Sequence, residues 1–293
     1  MKIVVTGVSG RVGRAIYVRL AREHDVIGLD RAPSSTADVV GDLGDAALLR
    51  RVLAGADAVV HTAALHAPHV GLVSDAEFER VNVDGTRRVL DAAVAANVPR
   101  LVFTSSTAVY GDAATPRDRA GWVDETLAPQ PVTIYHHTKL AAEALLRTAA
   151  DFGGPVVRIL RMSRCFPEPA PLMAAYRLHR DVAQAHALAL TDAGRPHATY
   201  IVSGATPFQP GDAQALLHDA PSVLRARCPD LVEEFALRDW TLPAAIDRVY
   251  DAGAIARELG WRPRYGYDEV LAMFDAGWSE VLPPRRGAWT ANE

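Results

Sequence analysis

Six short apolar runs mark the first 160 residues: Ile3–Thr6, Asp25–Leu29, Asp38–Val40, Ala58–His61, Leu101–Ser105 and Val156–Leu160. Each is nearly continuous in β-branched and aliphatic residues, the pattern of strands covered on both faces. Between them, Arg14–Glu23, Ala46–Ala54, Asp75–Ala96 and Thr138–Ala150 carry apolar residues at three- and four-residue spacing, which predicts helices. Ser74-Asp75-Ala76-Glu77 opens the third of these with a capping-box pattern. Strands alternating with helices predict an α/β fold with a doubly wound parallel sheet. After Cys165 the pattern changes. Pro167, Pro169, Pro171, Pro207, Pro210, Pro221 and Pro229 cut the chain into short pieces. They predict a small, mostly helical lobe on the C-terminal edges of the strands. The expected division is a core of residues 1–162 and a lobe of residues 163–293 from which the chain returns to the core.

The turn after the first strand reads Thr6-Gly7-Val8-Ser9-Gly10-Arg11-Val12-Gly13. Glycines there permit positive φ and let a phosphate approach the backbone. The helix that follows offers unpaired N–H groups and its positive dipole end. Asp30 ends the second strand, 20 residues past Gly10, where a carboxylate accepts hydrogen bonds from an adenosine ribose and repels a 2′-phosphate. The expected cofactor is NAD, while Arg31 and Arg11 leave NADP open. Asp42-Leu43 ends the third strand, beside the expected adenine. Thr62, Ala63 and Ala64 end the fourth, where small residues let a cofactor lie against the strand end.

Tyr135-His136-His137-Thr138-Lys139 lies about 120 residues further on. Tyr135 and Lys139 are four apart, hence on one helix face. A hydride leaves a C–H as the attached hydroxyl loses its proton, so a base must touch that oxygen. A free tyrosine with a pKa near ~10 is a poor base, and an adjacent ammonium favours its phenolate.

These pieces, with Val81-Asn82-Val83-Asp84-Gly85-Thr86, Thr104–Gly111 and Glu258-Leu259-Gly260-Trp261-Arg262-Pro263, cover nearly the whole chain. In their order the chain resembles the extended short-chain dehydrogenase/reductases, the family of NAD-dependent epimerases and dehydratases. The resemblance implies a Rossmann core carrying a Ser/Tyr/Lys group: Tyr135 as base, Lys139 as its partner and a holder of the nicotinamide ribose, and Ser106 as the substrate anchor. It places Gly7, Gly10, Arg11, Val12, Gly13, Asp30, Arg31, Asp42, Leu43, Thr62, Ala63, Ala64, Asn82, Thr104, Tyr135, Lys139 and Met162 around the cofactor. Around the substrate it places His66, Ser106, Thr107, Tyr135 and Arg164. It also implies a homodimer through the Tyr135 helix and the Asp75–Ala96 helix.

Sugar-nucleotide enzymes of this family carry a long insert between an Arg-Pro-x-Asn-x-Tyr-Gly-Pro run and an Arg-Asp-Phe-x-His-Val run. Here the first reads Arg161-Met162-Ser163-Arg164-Cys165-Phe166-Pro167-Glu168-Pro169, and the second is reduced to His179–His186. About twenty residues separate Arg161 from Asp181, so a small sugar-like substrate is expected. The Cys-Phe-Pro-Glu-Pro stretch is similar to uronate dehydrogenases. Those place an arginine soon after it, where this chain has Ala170-Pro171-Leu172-Met173; Arg164, Arg177 and Arg180 are the substitutes. The dehydratases carry Asp-Glu near the serine, where this chain has Thr107-Ala108. The expected activity is therefore NAD-dependent oxidation at a hydroxyl-bearing carbon. The alternative is a sugar or sugar-nucleotide epimerase that retains its cofactor. An intact Ser/Tyr/Lys set argues against a cofactor sensor without turnover.

The remaining features exclude partners. The net charge is −4, with both signs interspersed, so no basic stripe points to nucleic acid or an anionic membrane. No apolar stretch approaches the ~18 residues of a membrane span, and the N-terminus reads as a strand rather than a signal peptide. His66 and His69 lack a third ligand, so no metal is expected. Two cysteines, Cys165 and Cys228, form no disulfide framework, and a cytoplasmic location is the expectation.

Overall fold

A computed structural model describes residues 1–163, 165, 179–192, 194–278 and 281. The core elements run β1 (Lys2–Thr6), α1 (Arg11–Leu20), β2 (Asp25–Asp30), β3 (Val39–Val40), α2 (Ala46–Leu53), β4 (Ala58–His61), α3 (Asp75–Phe78), α4 (Gly85–Ala95) and β5 (Arg100–Ser106). They continue through β6 (Gly121–Val123), α5 (Ile134–Asp151), β7 (Val156–Met162), α6 (His179–Ala189) and β8 (His197–Val202). The remainder is α7 (Ala213–His218), α8 (Ala220–Arg227), α9 (Pro229–Leu237), β9 (Arg248–Tyr250), α10 (Gly253–Leu259) and α11 (Tyr267–Asp275).

Seven strands form one parallel sheet in the order β3-β2-β1-β4-β5-β7-β8. Alternate strand residues serve opposite layers. Val4, Val59, Leu101, Phe103 and Ile159 face α2, α4 and α5, where Leu49, Val89 and Leu146 are buried. Ile3, Val5, Val60, Val102 and Leu160 face the other layer, where Ile16, Val182 and Trp261 are buried. Both faces are covered, which explains why the runs read as continuous apolar stretches.

β8 lies beyond the six apolar runs and joins the sheet as its seventh strand. Asp181 ties the late chain back to the core. Its carboxylate accepts N–H bonds from Arg264 and Tyr265 at 2.9 and 3.1 Å, and its carbonyl accepts the Trp261 indole N–H at 3.1 Å. A separate cluster formed by α7–α9, β9 and α11 buries Leu216, Leu224, Leu231, Phe235 and Leu271. It meets the core chain through the short parallel pair β6–β9.

The stretch expected as one helix over Asp75–Ala96 differs. A π-helical segment, Glu79–Asp84, lies between α3 and α4. It widens the helix at Asn82, which is buried and aimed at α5. Helix α5 starts four residues earlier than the spacing indicated. Thr133 caps it, its Oγ1 accepting the His136 N–H at 3.4 Å, while His136 Nδ1 accepts the Val132 N–H at 3.2 Å and the Thr133 N–H at 3.4 Å. This is what His136 does beside Tyr135.

Candidate active site

The strand order turns back between β1 and β4, so the chain leaves these two strands in opposite directions and opens a crevice at their C-terminal ends. Gly7 leaves β1 with φ +78°, and a Cβ there would lie 2.6 Å from the Ala63 N. A Cβ at Gly13 would lie 2.1 Å from the Gly7 carbonyl O. Gly10 stands at the N-cap of α1 with no side chain to occupy the first-turn N–H groups of Arg11, Val12 and Gly13. The crevice is therefore walled by backbone, with a helix N-terminus aimed into it.

Asp30 ends β2 beside this turn. Its Oδ2 accepts the Ser9 N–H and its Oδ1 the Ala32 N–H, both at 2.9 Å, which fixes the carboxylate at the rim. Arg31 is exposed next to it. Asp42 accepts the Gly44 N–H at 2.6 Å and lies 3.5 Å from the Arg80 guanidinium. Arg80 also makes paired bonds to Glu77 at 2.7 and 2.6 Å. Its bonds first, then its charge and that of Arg31, hold the Glu77 carboxyl below its ordinary range. Leu43 packs partly buried near Gly85.

Thr62, Ala63 and Ala64 are half-buried opposite the glycine turn. Thr62 Oγ1 donates to the Thr6 carbonyl at 2.6 Å. Thr6 Oγ1 accepts N–H bonds from Thr62 and Ala63 at 3.2 and 3.3 Å and lies 2.7 Å from His61 Nδ1. His61 is fully buried, and burial first, then Lys139, pushes its pKa down to about 3, so the ring is neutral. The Thr86 hydroxyl donates to the Asn82 carbonyl at 2.6 Å, so it accepts from His61 Nε2–H at 3.0 Å. His61 Nδ1 then accepts the Thr6 hydroxyl proton. Asn82 continues the chain, donating to Leu65 O at 3.0 Å and Thr138 Oγ1 at 3.1 Å while accepting Leu65 N–H at 2.8 Å. One set of bonds thus joins the glycine turn, the loop after β4 and α5.

The candidate catalytic group lies at the ends of β5 and α5. Ser106 ends β5, and its Oγ accepts the Ala108 N–H at 3.1 Å. Ser106 lies near enough to Tyr135 to oppose the rise in the phenol's pKa that burial causes. Lys139 is buried. Its Nζ donates to the Thr104 carbonyl at 2.8 Å and sits 4.5 Å from the centroid of the Phe103 ring. Burial pushes its pKa down to about 8, with Glu143 opposing. Thr107 is buried in the turn after Ser106, and Met162 ends β7 in register with Ser106. His66 lies on the loop after β4. Partial burial, then His69 and Lys139, push its pKa down, which places it within electrostatic reach of the lysine. Arg164, Arg177 and the Cys-Phe-Pro-Glu-Pro stretch from Phe166 onward lie outside the described residues, and the Arg180 side chain is likewise not described.

Two buried groups had no part in the sequence reading. Glu143, one turn beyond Lys139, accepts two bonds from Arg161, one from Arg147 and one from the Ser105 hydroxyl. His186 on α6 contacts Thr104. Glu143 stands at helical spacing from Lys139 and Arg147, whereas its partners Ser105 and Arg161, and Thr104 for His186, are distant in sequence. Among the described residues there is no His, Cys, Asp or Glu cluster able to hold a metal, and no helix long and apolar enough to cross a membrane.

Residues 3–171 match the profile of the NAD dependent epimerase/dehydratase family. An L-arabinose 1-dehydrogenase (NAD(P)(+)) of Haloferax volcanii is 36% identical over 170 residues, which span 55% of this chain and 66% of that enzyme. A dTDP-glucose 4,6-dehydratase of Streptomyces antibioticus is 29% identical over 93% of this chain and 90% of its own length. A short-chain dehydrogenase/reductase superfamily structure from Agrobacterium tumefaciens, solved with bound NAD, superposes with a TM-score of 0.72 at 24% identity. The match covers 93% of this chain and 95% of the other.

Proposed function

The chain belongs to the NAD dependent epimerase/dehydratase family, and on that premise we propose that it is an NAD-dependent dehydrogenase of a small, sugar-like substrate. The observation that carries the reading is the convergence of Ser106, Tyr135 and Lys139 beside a crevice shaped by Gly7 and Gly13.

The crevice fits the cofactor, because both glycine positions lack room for a Cβ and the first turn of α1 is uncapped. The Gly7–Gly13 turn would hold the pyrophosphate, Asp30 the adenosine ribose, Asp42 and Leu43 the adenine end, and Lys139 the nicotinamide ribose. Thr62–Ala64, Asn82, Thr104 and Met162 line the rest. NAD supplies the acceptor for a hydride from the hydroxyl-bearing carbon. Tyr135 Oη takes the hydroxyl proton. The Lys139 ammonium stabilises the phenolate that accepts it, and Ser106 Oγ–H holds the substrate oxygen in line. Thr107 lies buried beside that anchor. His66, and Arg164 outside the described residues, are the proposed substrate contacts.

A free sugar is favoured by the short Arg161–Asp181 connection and by the arabinose dehydrogenase relative. The second reading is a sugar or sugar-nucleotide epimerase that keeps its cofactor, and the dTDP-glucose relative, aligned over most of the chain, supports a sugar-nucleotide substrate for it. The experiment is a screen of free sugars, sugar acids and sugar nucleotides with NAD and NADP. Stoichiometric release of reduced cofactor supports the dehydrogenase. Cofactor retained through purification, with substrate interconverted and no net reduction, replaces it with the epimerase.

We also read the protein as a cytoplasmic homodimer. The outward face of α5 carries His137, Ala141, Ala144 and Thr148, all exposed and mostly small, which allows a second helix to approach closely. Sedimentation of the purified protein tests the dimer.

A further inference from the structure

We propose that His186, buried on α6, is a positioning residue for Lys139, fixing through Thr104 the carbonyl that orients the ammonium. The inference rests on the reading that Lys139 acts beside Tyr135.

His186 Nδ1 lies 2.8 Å from the Val182 carbonyl, one turn back on its own helix. A carbonyl only accepts, so Nδ1 carries the proton. Burial pushes the ring's pKa down to about 4 against the Val182 bond, so the neutral ring leaves a lone pair on Nε2. Thr104 Oγ1, 2.7 Å away, therefore donates to Nε2. The same threonine's carbonyl accepts from Lys139 Nζ at 2.8 Å. The two bonds pin one residue of β5 from opposite sides. Helix α6 packs on one face of the sheet with Val102 and Leu160, and α5 on the other with Phe103 and Ile159. The chain of bonds crosses the sheet.

An aliphatic residue at 186 would fill this space with no polar group to satisfy. Of the two hydrogen bonds the imidazole makes, one stays within α6 and only the bond to Thr104 leaves it. Without that acceptor the Thr104 hydroxyl would be buried and unpaired, and it would turn to find a partner, carrying its carbonyl away from Lys139. The titratable groups that interact electrostatically with Lys139 are Glu143 from α5, His61 from β4 and His66 from the following loop. His186 stands behind the strand, so its influence passes through Thr104.

Lys139 can be watched directly, because the chain has two lysines, Lys2 and Lys139. Isotope-labelled lysine side chains give two NMR signals, assigned with Lys2→Arg, whose titration is followed in the cofactor-free protein. His186→Phe keeps a ring without an acceptor. His186→Gln keeps an acceptor. Thr104→Val removes the hydroxyl at nearly constant volume. A hydrogen bond to the charged form raises a lysine pKa, so His186→Phe is expected to lower the Lys139 midpoint by about half a pH unit. It should also lower kcat by about tenfold. Thr104→Val should do the same, and His186→Gln should restore most of both. Should His186→Phe fail to fold, Thr104→Val and His186→Gln carry the test. A Lys139 midpoint and kcat unchanged in Thr104→Val, and in His186→Phe where it folds, with only the melting temperature lowered, would overturn the proposal. If wild type turns over no sugar while the lysine midpoint still moves, the functional reading fails and the positioning stands. If wild type turns over and the midpoint is indifferent, this inference alone fails.

Discussion

The Glu143 carboxylate and the Arg161 guanidinium meet through two hydrogen bonds of 3.0 and 2.7 Å beneath the ends of β5 and β7, with both side chains buried. Burial alone would raise the carboxyl's pKa. The bonds and charge of Arg161, with Arg147 and Ser105, outweigh it and hold the group below 4.5. Removing one partner leaves an uncompensated buried charge, so Glu143→Ala should cost about 3–5 kcal/mol in urea unfolding. The folded pKa is depressed, so this contribution is present above the unfolded pKa of 4.5 and is lost as pH falls through the lower folded value. Wild type should lose stability steeply there, and Glu143→Gln should lose it less steeply. Equal acid midpoints would remove Glu143 from the account.

The Tyr135–Lys139 pair sets the pH dependence of oxidation. Burial raises the tyrosine, with Ser106 opposing, and lowers the lysine to about 8. The first proton lost by the pair therefore leaves near pH 8, and it leaves the pair able to accept one. kcat/KM for oxidation should rise to a plateau above that pH. Lys139→Arg, whose guanidinium keeps its proton, should move the rise upward and lower the rate below it. A wild-type profile flat through this range would count against the pair.

The glycine turn makes a prediction about space. A Cβ at Gly13 collides with the Gly7 carbonyl, whereas one at Gly211 meets nothing within 4 Å. Overpacking there costs about 1–3 kcal/mol unless the Gly7 turn shifts, so Gly13→Ala should bind NAD more weakly by calorimetry. Gly211→Ala should bind as wild type does. Equal affinities in the two variants would place the cofactor elsewhere.

Asp30 is expected to set cofactor choice. Its carboxylate is held at the crevice rim by the Ser9 and Ala32 amides, next to exposed Arg31. Asp30→Ala should weaken NAD binding and leave NADP binding equal or better, because the charge that repels a 2′-phosphate is gone and Arg31 remains. Measured affinities that fall together for both cofactors would show that Asp30 serves only the turn.

The sheet was legible because β1, β4, β5 and β7 are covered on both faces and so read as unbroken apolar runs. The Gly7–Gly13 turn and the Tyr135–Lys139 spacing were legible because their geometry is local. Other features depend on distant partners. The π-helical widening at Glu79–Asp84 leaves the apolar spacing of a helix nearly intact, so one long helix was expected there. β8 follows a proline-broken stretch and takes its place only by pairing with β7. Glu143 meets Arg161 18 residues on, and His186 meets Thr104 82 residues back, so neither role shows in local spacing. The His136 ring caps the start of α5, a role that its position after Tyr135 does not mark.

The central claim is that Tyr135 is the base in an NAD-dependent oxidation. The most direct measurement is the rate of NADH formation from NAD and a sugar substrate by wild type and by Tyr135→Phe, alongside their affinities for NAD. Wild type should form one NADH per substrate oxidised. Tyr135→Phe should bind NAD as tightly and turn over about 10²–10⁴-fold more slowly. A Tyr135→Phe enzyme that forms NADH at the wild-type rate would contradict it.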